Sequence, residues 1–306
     1  MVTLKNILAA TDLSNSSIHA VERGFLIAKE TGSNFIVAHA LDLDALSSLR
    51  SLLGENITAL EQKVLDDARE QLLELVSDPQ RNQGVTASLQ LERGLATTAI
   101  PEKAEAIGAD LILVGAHGSG FLQRILLGST ASRLLRKSKC PVLVVKQAPH
   151  NTYKRVLVAV DFSPSSENAI RMVREVAPAA DILLLNIFEV PFEGKMQYAG
   201  VKEEIIHQYR IEAREHALHQ LHDLAKSAGL AQGDYTGSVV YGDTTRQIIE
   251  HEEKYNCDLI VMGKHGIHVT EELLLGSVTK RLLAESQSDV LVVIDPRGPG
   301  IVEITP

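Results

Sequence analysis

Glycines at a regular spacing are the residues of this chain that best suit the binding of a phosphate group. Gly115 is followed by Gly118, and nine residues separate Gly118 from Gly128 and Ser129. Glycine lets the backbone adopt positive φ and lets a ligand approach without a Cβ in the way. A helix that begins at Ser129 would present unpaired N–H groups and the positive end of its dipole, which attract anions. The spacing predicts a loop that can hold phosphate.

The same spacing recurs 148 residues later, at Gly263, Gly266, Gly276 and Ser277. Glycines between a strand and a helix also serve as turn residues, and a serine after glycine also serves as a helix N-cap. One copy alone would leave these alternatives open. The second copy favours ligand binding, although shared ancestry could preserve the spacing without function.

Two aspartates form a second candidate pair, because Asp12 and Asp161 each directly follow the first apolar run of their half of the chain. A carboxylate at the end of a buried strand can contact a bound ligand. Each aspartate also precedes a serine-rich start of a helical pattern, so the alternative is that it caps the following helix.

The elements that position these residues are repeated. The segment ILAATD at 7–12 recurs as VLVAVD at 156–161, and the glycine motifs lie in the related runs DLILVGAHG and DLIVMGKHG. The offset of 148 or 149 residues indicates duplication of a whole domain rather than a solenoid. We predict two domains, residues 1–148 and 152–306, joined by a short polar linker.

Within each domain, short runs rich in Val, Ile and Leu alternate with longer segments whose apolar residues recur at helical spacing. This alternation is typical of βαβ units on a parallel sheet, so the sequence predicts the α/β class. Predicted strands lie near 6–11, 34–40, 86–92, 110–115 and 141–146, and again near 155–160, 181–188, 235–241, 258–263 and 289–294. Predicted helices lie near 16–31, 58–77, 97–108 and 129–138, and again near 165–177, 202–228, 245–256 and 277–286.

Composition limits the classes of function. The 306 residues include 45% apolar and 23% charged side chains, as in an ordinary globular protein. The net charge is −9: residues 1–150 contain 15 Lys and Arg against 16 Asp and Glu, and residues 151–306 contain 15 against 23. Such a chain lacks the basic face of a general nucleic-acid binder, so no nucleic-acid partner is expected.

Sequence features also favour a cytoplasmic location. No apolar run reaches the roughly 18 residues of a membrane span, and the N-terminus lacks a basic segment followed by a cleavable apolar stretch, so no membrane association is expected. Cys140 and Cys257 each precede an apolar run, which favours buried thiols in a reducing compartment over a disulfide.

Together, the glycine motifs and the aspartates resemble those of the universal stress protein family. Its ATP-binding members carry Gly-x2-Gly-x9-Gly-(Ser/Thr) after the fourth strand and an Asp after the first. The resemblance covers both halves, so the chain is similar to a tandem, two-domain member. It implies two Rossmann-like domains of the adenine nucleotide alpha hydrolase-like type, each a five-stranded parallel sheet of order 3-2-1-4-5. This order would place Asp12 beside Gly115 at the switch point of the sheet, where open α/β folds bind ligands.

The resemblance also implies which residues bind a nucleotide. Thr11 and Asp12 would meet the adenosine, and Ala38 on the second strand would lie against the adenine. The residues implied around the ribose and phosphates of the first domain are Gly115, His117, Gly118, Gly128, Ser129 and Thr130. The matching residues of the second domain are Asp161, Gly263, His265, Gly266, Gly276, Ser277, Val278 and Thr279. The implied ligand is ATP, or else AMP or ADP, either alone or together with a Mg²⁺ ion.

The two glycine loops differ in charge. Within the nine-residue spacer, Arg124 of the first domain corresponds to Glu272 of the second, and Glu271 adjoins it. A cation attracts a triphosphate, whereas two carboxylates repel it unless a divalent metal intervenes. We therefore expect the first domain to bind ATP more tightly than the second.

Three functions compete at this point: a regulator of a stress response that binds ATP or AMP and acts on an unknown protein partner, a slow Mg²⁺-dependent ATPase, and a nucleotide-free scaffold. No catalytic triad or metal motif is recognisable, so no catalytic or metal-binding residue is predicted. The apolar last strand of each domain would lie at a sheet edge, and such edges invite pairing. The resemblance implies that the two fifth strands join within one chain as a pseudo-dimer, and a homodimer of two chains is a further option.

Overall fold

The computed structural model describes residues 4–42, 57–118, 127–190, 193–264 and 275–294. The chain divides into two units, Met1–Thr152 and Tyr153–Pro306. Each unit contains a parallel sheet and its own helices, and each is described by itself below.

Five parallel strands form the sheet of the first unit: β1 (Asn6–Ala10), β2 (Asn34–Leu41), β3 (Ala87–Arg93), β4 (Leu111–Gly115) and β5 (Val142–Val145). Strand β1 pairs with β2 and β4, while β3 pairs with β2 and β5 pairs with β4. The observed order is therefore β3-β2-β1-β4-β5, as the resemblance implies. Leu8, Leu113 and Leu143 have no exposed surface, which is the burial expected of central parallel strands.

The helices described in the first unit are α1 (Asn15–Thr31), α2 (Ile57–Ser77), α3 (Pro79–Asn82), α4 (Ala96–Ala106) and α5 (Ser129–Lys137). Helix α1 shows how the sequence sets these elements. It buries Val21, Phe25 and Ala28, which share one helical face. Ser14 caps its start by accepting from the Ser17 N–H, and Gly32 ends it at φ 70°, the stop that the sequence predicts.

The second unit repeats the same order with β6 (Arg155–Val160), β7 (Asp181–Phe188), β8 (Tyr235–Tyr241), β9 (Leu259–Gly263) and β10 (Asp289–Val293). Its pairings give the order β8-β7-β6-β9-β10. Its helices are α6 (Pro164–Val176), α7 (Glu193–Tyr198), α8 (Glu203–Ser227), α9 (Thr244–Tyr255) and α10 (Ser277–Glu285). Within the five described ranges, no helix is both long enough and apolar enough to cross a membrane.

The predicted α/β class is confirmed, and the predicted strands and longer helices agree with the observed elements to within a few residues. Two short helices were not predicted, α3 and α7. Asp78 and Pro79 at the start of α3 are a recognisable N-terminal signal. Four residues are too few to show helical periodicity, so the signal alone does not predict the element.

The strand order creates a switch point in each sheet. In the first unit the chain leaves β1 towards β2 and β3 and then returns to the other side of β1 as β4. Ala10 at the end of β1 is paired with Val114, one residue before Gly115. The loops after β1 and β4 therefore leave the sheet side by side, which is the usual ligand position in open α/β sheets.

The two cysteines differ in burial. Cys257 is buried, whereas Cys140 is only half-buried, so the expectation of buried thiols holds for Cys257 alone. Burial raises the pKa of Cys257 to about 12, and the carboxylates of Asp258 and Glu252 act in the same direction. Burial also raises the pKa of the Cys140 thiol.

We expect Cys257 to resist thiol reagents in the folded protein at about pH 8. A thiol whose pKa lies near 12 is almost fully protonated there, and only the thiolate is nucleophilic. Ellman's reagent, added to native and to guanidinium-unfolded protein, measures the accessible thiols, and the Cys257→Ser variant shows which one reacts. Native labelling of Cys257 as fast as that of a free cysteine would contradict this burial.

Candidate functional site

The loops that follow β1 and β6 carry the two aspartates, and we call residues 11–14 and 160–163 the Asp loops. In the first loop the Thr11 N–H donates to the Ala38 carbonyl oxygen at 2.9 Å. Nδ1 of His39 donates to the Thr11 carbonyl oxygen at 2.6 Å. Strand β2 therefore holds the peptide groups on both sides of Thr11.

The Thr11 side chain fixes the first Asp loop from inside. Its hydroxyl shares a hydrogen bond with the Ser17 hydroxyl at 2.9 Å and accepts from the Leu13 N–H at 3.0 Å. Leu13 has φ 62°, and Phe162 at the same place in the second loop has φ 63°. A left-handed backbone costs a non-glycine residue about 1–2 kcal/mol, so the surrounding bonds must hold both loops in this conformation. Thr11 is 6% exposed, and direct contact of its side chain with adenosine does not fit that burial.

Both aspartates lie where a ligand can reach them. Asp12 is exposed and Asp161 is half-buried. One carboxylate oxygen of each, Oδ1, accepts from the N–H two residues further on, that of Ser14 or Ser163, at 3.1 Å in both loops. The alternative that the aspartates cap the following helices is wrong, because the N-caps of α1 and α6 are these two serines.

Gly115 ends β4 directly against the first turn of α1. A Cβ at this position would lie 2.6 Å from the carbonyl carbon and oxygen of Ser16. The Ser16 hydroxyl also accepts from the His117 N–H at 3.2 Å. The close approach of strand and helix requires glycine here, so the first glycine of the motif has a structural reason that is independent of any ligand.

Gly118 brings the loop after β4 to Asp12. A Cβ on Gly118 would lie 2.9 Å from Oδ2 of Asp12. The Gly128 N–H donates to the Ala116 carbonyl oxygen at 2.8 Å, and a Cβ on Gly128 would lie 3.5 Å from Cα of His117. The structure thus brings the motif glycines and the aspartate together at the carboxyl ends of β1 and β4.

Helix α5 starts at this point without a side-chain cap from its N-cap residue. The N-cap is Gly128, with Ser129 as the first helical residue, and α10 begins in the same way with Gly276 and Ser277. The alternative that these serines are N-caps is therefore wrong. Ser129 and Thr130 are exposed. A helix start with exposed N–H groups and hydroxyls offers donors to an anion.

The second unit repeats part of this arrangement. Gly263 ends β9. The N–H of the next residue, Lys264, donates to the carbonyl oxygen of Val293, the last residue of β10, at 2.8 Å. A Cβ on Gly276 would lie 3.5 Å from the Lys264 carbonyl oxygen. The predicted site residues His265 and Gly266 lie outside the described residues.

The predicted site residues at the start of α10 differ in burial. Ser277 is exposed and Val278 is half-buried, as a ligand contact requires. Thr279 is 2% exposed, and its Oγ1 would lie 3.6 Å from a Cβ on Gly276. It is buried like Ala131 of α5, so its side chain offers little surface to a ligand in this conformation.

The predicted site residue on strand β2 lies inside the sheet. Ala38 has no exposed surface, and its carbonyl oxygen is already bonded to Thr11. Ala40 lies two residues further on, on the same face of the strand, and is half-buried. Ala40 therefore offers exposed surface near the carboxyl end of β2, and Ala38 does not. The sequence does not reveal this difference, because an apolar run does not show where a strand emerges from the core.

One residue near the second loop was missed by the sequence patterns. Lys264 occupies the position of Ala116 and is only 4% exposed, and the spacing of the motif gives no signal for it. This lysine adds a buried positive charge beside the second loop, which the comparison of charge between the two loops must include. The residues on which that comparison rests lie outside the described ranges: Arg124, Glu271 and Glu272.

A cavity of about 640 Å³ opens at the other end of the second sheet. Its lining includes Arg155, Asp181 and Tyr235, the first residues of β6, β7 and β8. Ligands of open parallel sheets bind outside the carboxyl ends of the strands. This cavity at the amino ends is therefore separate from the candidate site.

Two parallel α/β domains with the same strand order, the first of which has its glycine motif beside Asp12 at the switch point, define a tandem Rossmann-like protein. The family model described as the universal stress protein family matches residues 3–146 and again residues 152–293. The chain therefore belongs to the universal stress protein family, with two such domains in tandem, and the resemblance found in the sequence is confirmed.

Individual relatives agree with this assignment. A universal stress protein of Methanocaldococcus jannaschii is 34% identical over 143 residues, which cover 47% of this chain and 82% of that protein. A universal stress protein of Mycolicibacterium smegmatis is 31% identical over 195 residues, which cover 62% of this chain and 63% of that protein.

Solved structures show the same fold. The crystal structure of a universal stress protein from Archaeoglobus fulgidus matches 96% of this chain and 98% of its own, with a TM-score of 0.63 at 21% identity. Another solved universal stress protein is a complex with cAMP. It is 27% identical and matches 47% of this chain and 98% of its own with a TM-score of 0.33, which is too low to say what this chain binds.

We expect Gly115→Ala to destabilise the protein by about 1–3 kcal/mol, because the new Cβ would overlap the Ser16 backbone. Gly276→Ala is the matched control, since its Cβ would lie at an ordinary contact distance of 3.5 Å, and it should cost less than about 1 kcal/mol. Urea unfolding followed by circular dichroism measures both. Equal losses in the two variants would contradict the close approach at Gly115.

Proposed function

We propose that the protein binds ATP or another adenine nucleotide at the carboxyl ends of the strands in each unit, and that occupancy by the nucleotide regulates an output in a stress response. One observation carries the proposal. The Asp12 carboxylate lies 2.9 Å from where Gly118 would carry a Cβ, beside the glycine-capped start of α5. A carboxylate and an anion-binding helix start thus lie at the same switch point.

The chemistry of the first site sets which end of the nucleotide lies at which group. A carboxylate repels phosphate and accepts hydrogen bonds from hydroxyl or amino groups, so Asp12 suits the nucleoside end. The N–H groups at the start of α5, with the hydroxyls of Ser129 and Thr130, suit the phosphates. Ala40 at the end of β2 suits the edge of the base. Gly118 lets the phosphate chain pass between these groups.

The second unit offers the corresponding groups at Asp161, Ser277 and Val278. We propose that this site is the weaker of the two, because Glu271 and Glu272 stand in the spacer where the first unit has Arg124. In the described ranges no three His, Cys, Asp or Glu side chains form a group that could hold a metal. A Mg²⁺ ion that accompanies ATP would be held by phosphate oxygens together with one or two carboxylates.

We expect Asp12→Ala to weaken ATP binding at the first site by at least about tenfold, since the hydrogen bonds of a charged acceptor are lost. Asp161→Ala should weaken only the second site. Isothermal titration of the full chain with ATP measures both. Asp78→Ala removes the aspartate that caps α3, outside both Asp loops, and serves as the control. Unchanged binding in both loop variants would refute the site.

The difference between the two sites has its own test in a charge exchange. Arg124→Glu should weaken the first site and Glu272→Arg should strengthen the second, each by several-fold at low salt, because one charge beside a phosphate is worth about 1 kcal/mol or more. The measurement is ATP titration at two salt concentrations, since screening should shrink both effects. Equal affinities in the wild-type chain that neither exchange alters would rule out the asymmetry.

A further inference from the structure

We propose that His39 in the first unit and Asn186 in the second are positioning residues that orient the aspartates of the Asp loops. The inference rests on the proposed function, because it concerns what holds the two carboxylates in place for a nucleotide. The motifs of the sequence single out neither residue.

The two side chains make the same bond in both units. Nδ1 of His39 donates to the carbonyl oxygen of Thr11 at 2.6 Å. Nδ2 of Asn186 donates to the carbonyl oxygen of Val160 at 2.9 Å. Each acceptor is the carbonyl that directly precedes the aspartate of its loop.

The two donors occupy equivalent places on strands that share little else. Strands β2 and β7 have eight residues each, NFIVAHAL and DILLLNIF, and they differ at every position. His39 and Asn186 are the sixth residue of each strand, and both are buried, at 7% and 4% exposure. A buried N–H donor at this place is therefore common to both copies although its chemical type differs.

Both hydrogen bonds lie at the point where the first strand of the sheet ends. Strand β1 ends one residue before Thr11, and β6 ends at Val160. A buried carbonyl at the end of a strand needs a donor, and the next residue but one takes a left-handed conformation in both loops. Holding this carbonyl fixes the plane of the peptide group that joins it to the aspartate. The direction of the aspartate's Cα–Cβ bond is thereby fixed as well.

Asn186 shows that the N–H is what the position requires. Its other polar atom, Oδ1, is buried without a hydrogen-bond partner among the described residues. A buried unpaired acceptor is costly, and an apolar residue such as the leucines of β7 would avoid it. The side chain therefore opposes stability through one atom while its other atom holds the Val160 carbonyl.

The test compares three variants in a full-length parent that carries Asp161→Ala, so that an ATP titration reports the first site. We expect His39→Leu to bind ATP roughly tenfold more weakly, because the loop loses its donor. His39→Asn should remain within about twofold of the parent, since asparagine makes this bond in the second unit. Val37→Ala removes buried volume from the same strand and should also leave the affinity within about twofold.

Amide hydrogen exchange without nucleotide gives a second readout. His39→Leu should exchange faster in peptides that cover residues 9–17, and His39→Asn and Val37→Ala should not. Affinity that is equal in His39→Leu and the parent would overturn the inference, as would an asparagine variant as weak as the leucine variant. Equal loss in Val37→Ala would also overturn it, because general destabilisation would then explain the effect.

The two proposals fail in different ways. If the parent binds no ATP while wild-type protein and Asp12→Ala also bind none, the proposed function is wrong. The exchange rates of residues 9–17 then still decide whether His39 positions the loop: faster exchange confined to His39→Leu supports the inference, and unchanged exchange overturns it.

Discussion

The close approach of β4 to the first turn of α1 is the constraint on which the site depends. Gly115 has no Cβ, so the Ser16 backbone can approach closely. A Cβ at this position would lie only 2.6 Å from the Ser16 carbonyl carbon and oxygen. At this contact the Ser16 hydroxyl accepts from the His117 N–H. Gly118 then lies beside the Asp12 carboxylate, and Gly128 at the start of α5 packs against the same loop. A bulkier residue at Gly115 would separate the two loops that form the candidate site.

Much of the fold follows from local sequence. Apolar runs and helical periodicity predict the strands and the longer helices of the described residues, and Gly32 predicts the end of α1, because these features depend on neighbouring residues alone. The site is predicted less completely. Burial of Ala38 and Thr279 depends on packing, and the capping of α1 by Ser14 rather than Asp12 depends on where the first helical turn closes. The bond from His39 to Thr11 joins separate strands, and no spacing in the sequence reports it.

Comparison of the two units separates what the fold needs from what a ligand would need. Leu13 and Phe162 share a left-handed conformation that neither side chain favours, so the shape of the Asp loop is retained although two of its four residues differ. The loop after the fourth strand is less uniform, since Lys264 replaces Ala116 there. The lysine would attract phosphate at the second site, whereas Glu271 and Glu272 would repel it, so the proposed difference between the two sites depends on the carboxylates of the spacer.

The most direct measurement is a crystal structure of the full chain grown with a non-hydrolysable ATP analogue. The nucleotide is predicted in the first unit, with its ribose or base at Asp12 and its phosphates at the N–H groups that begin α5 near Ser129. A nucleotide seated instead in the cavity lined by Arg155 and Tyr235, or no nucleotide at either switch point, would contradict the proposed function.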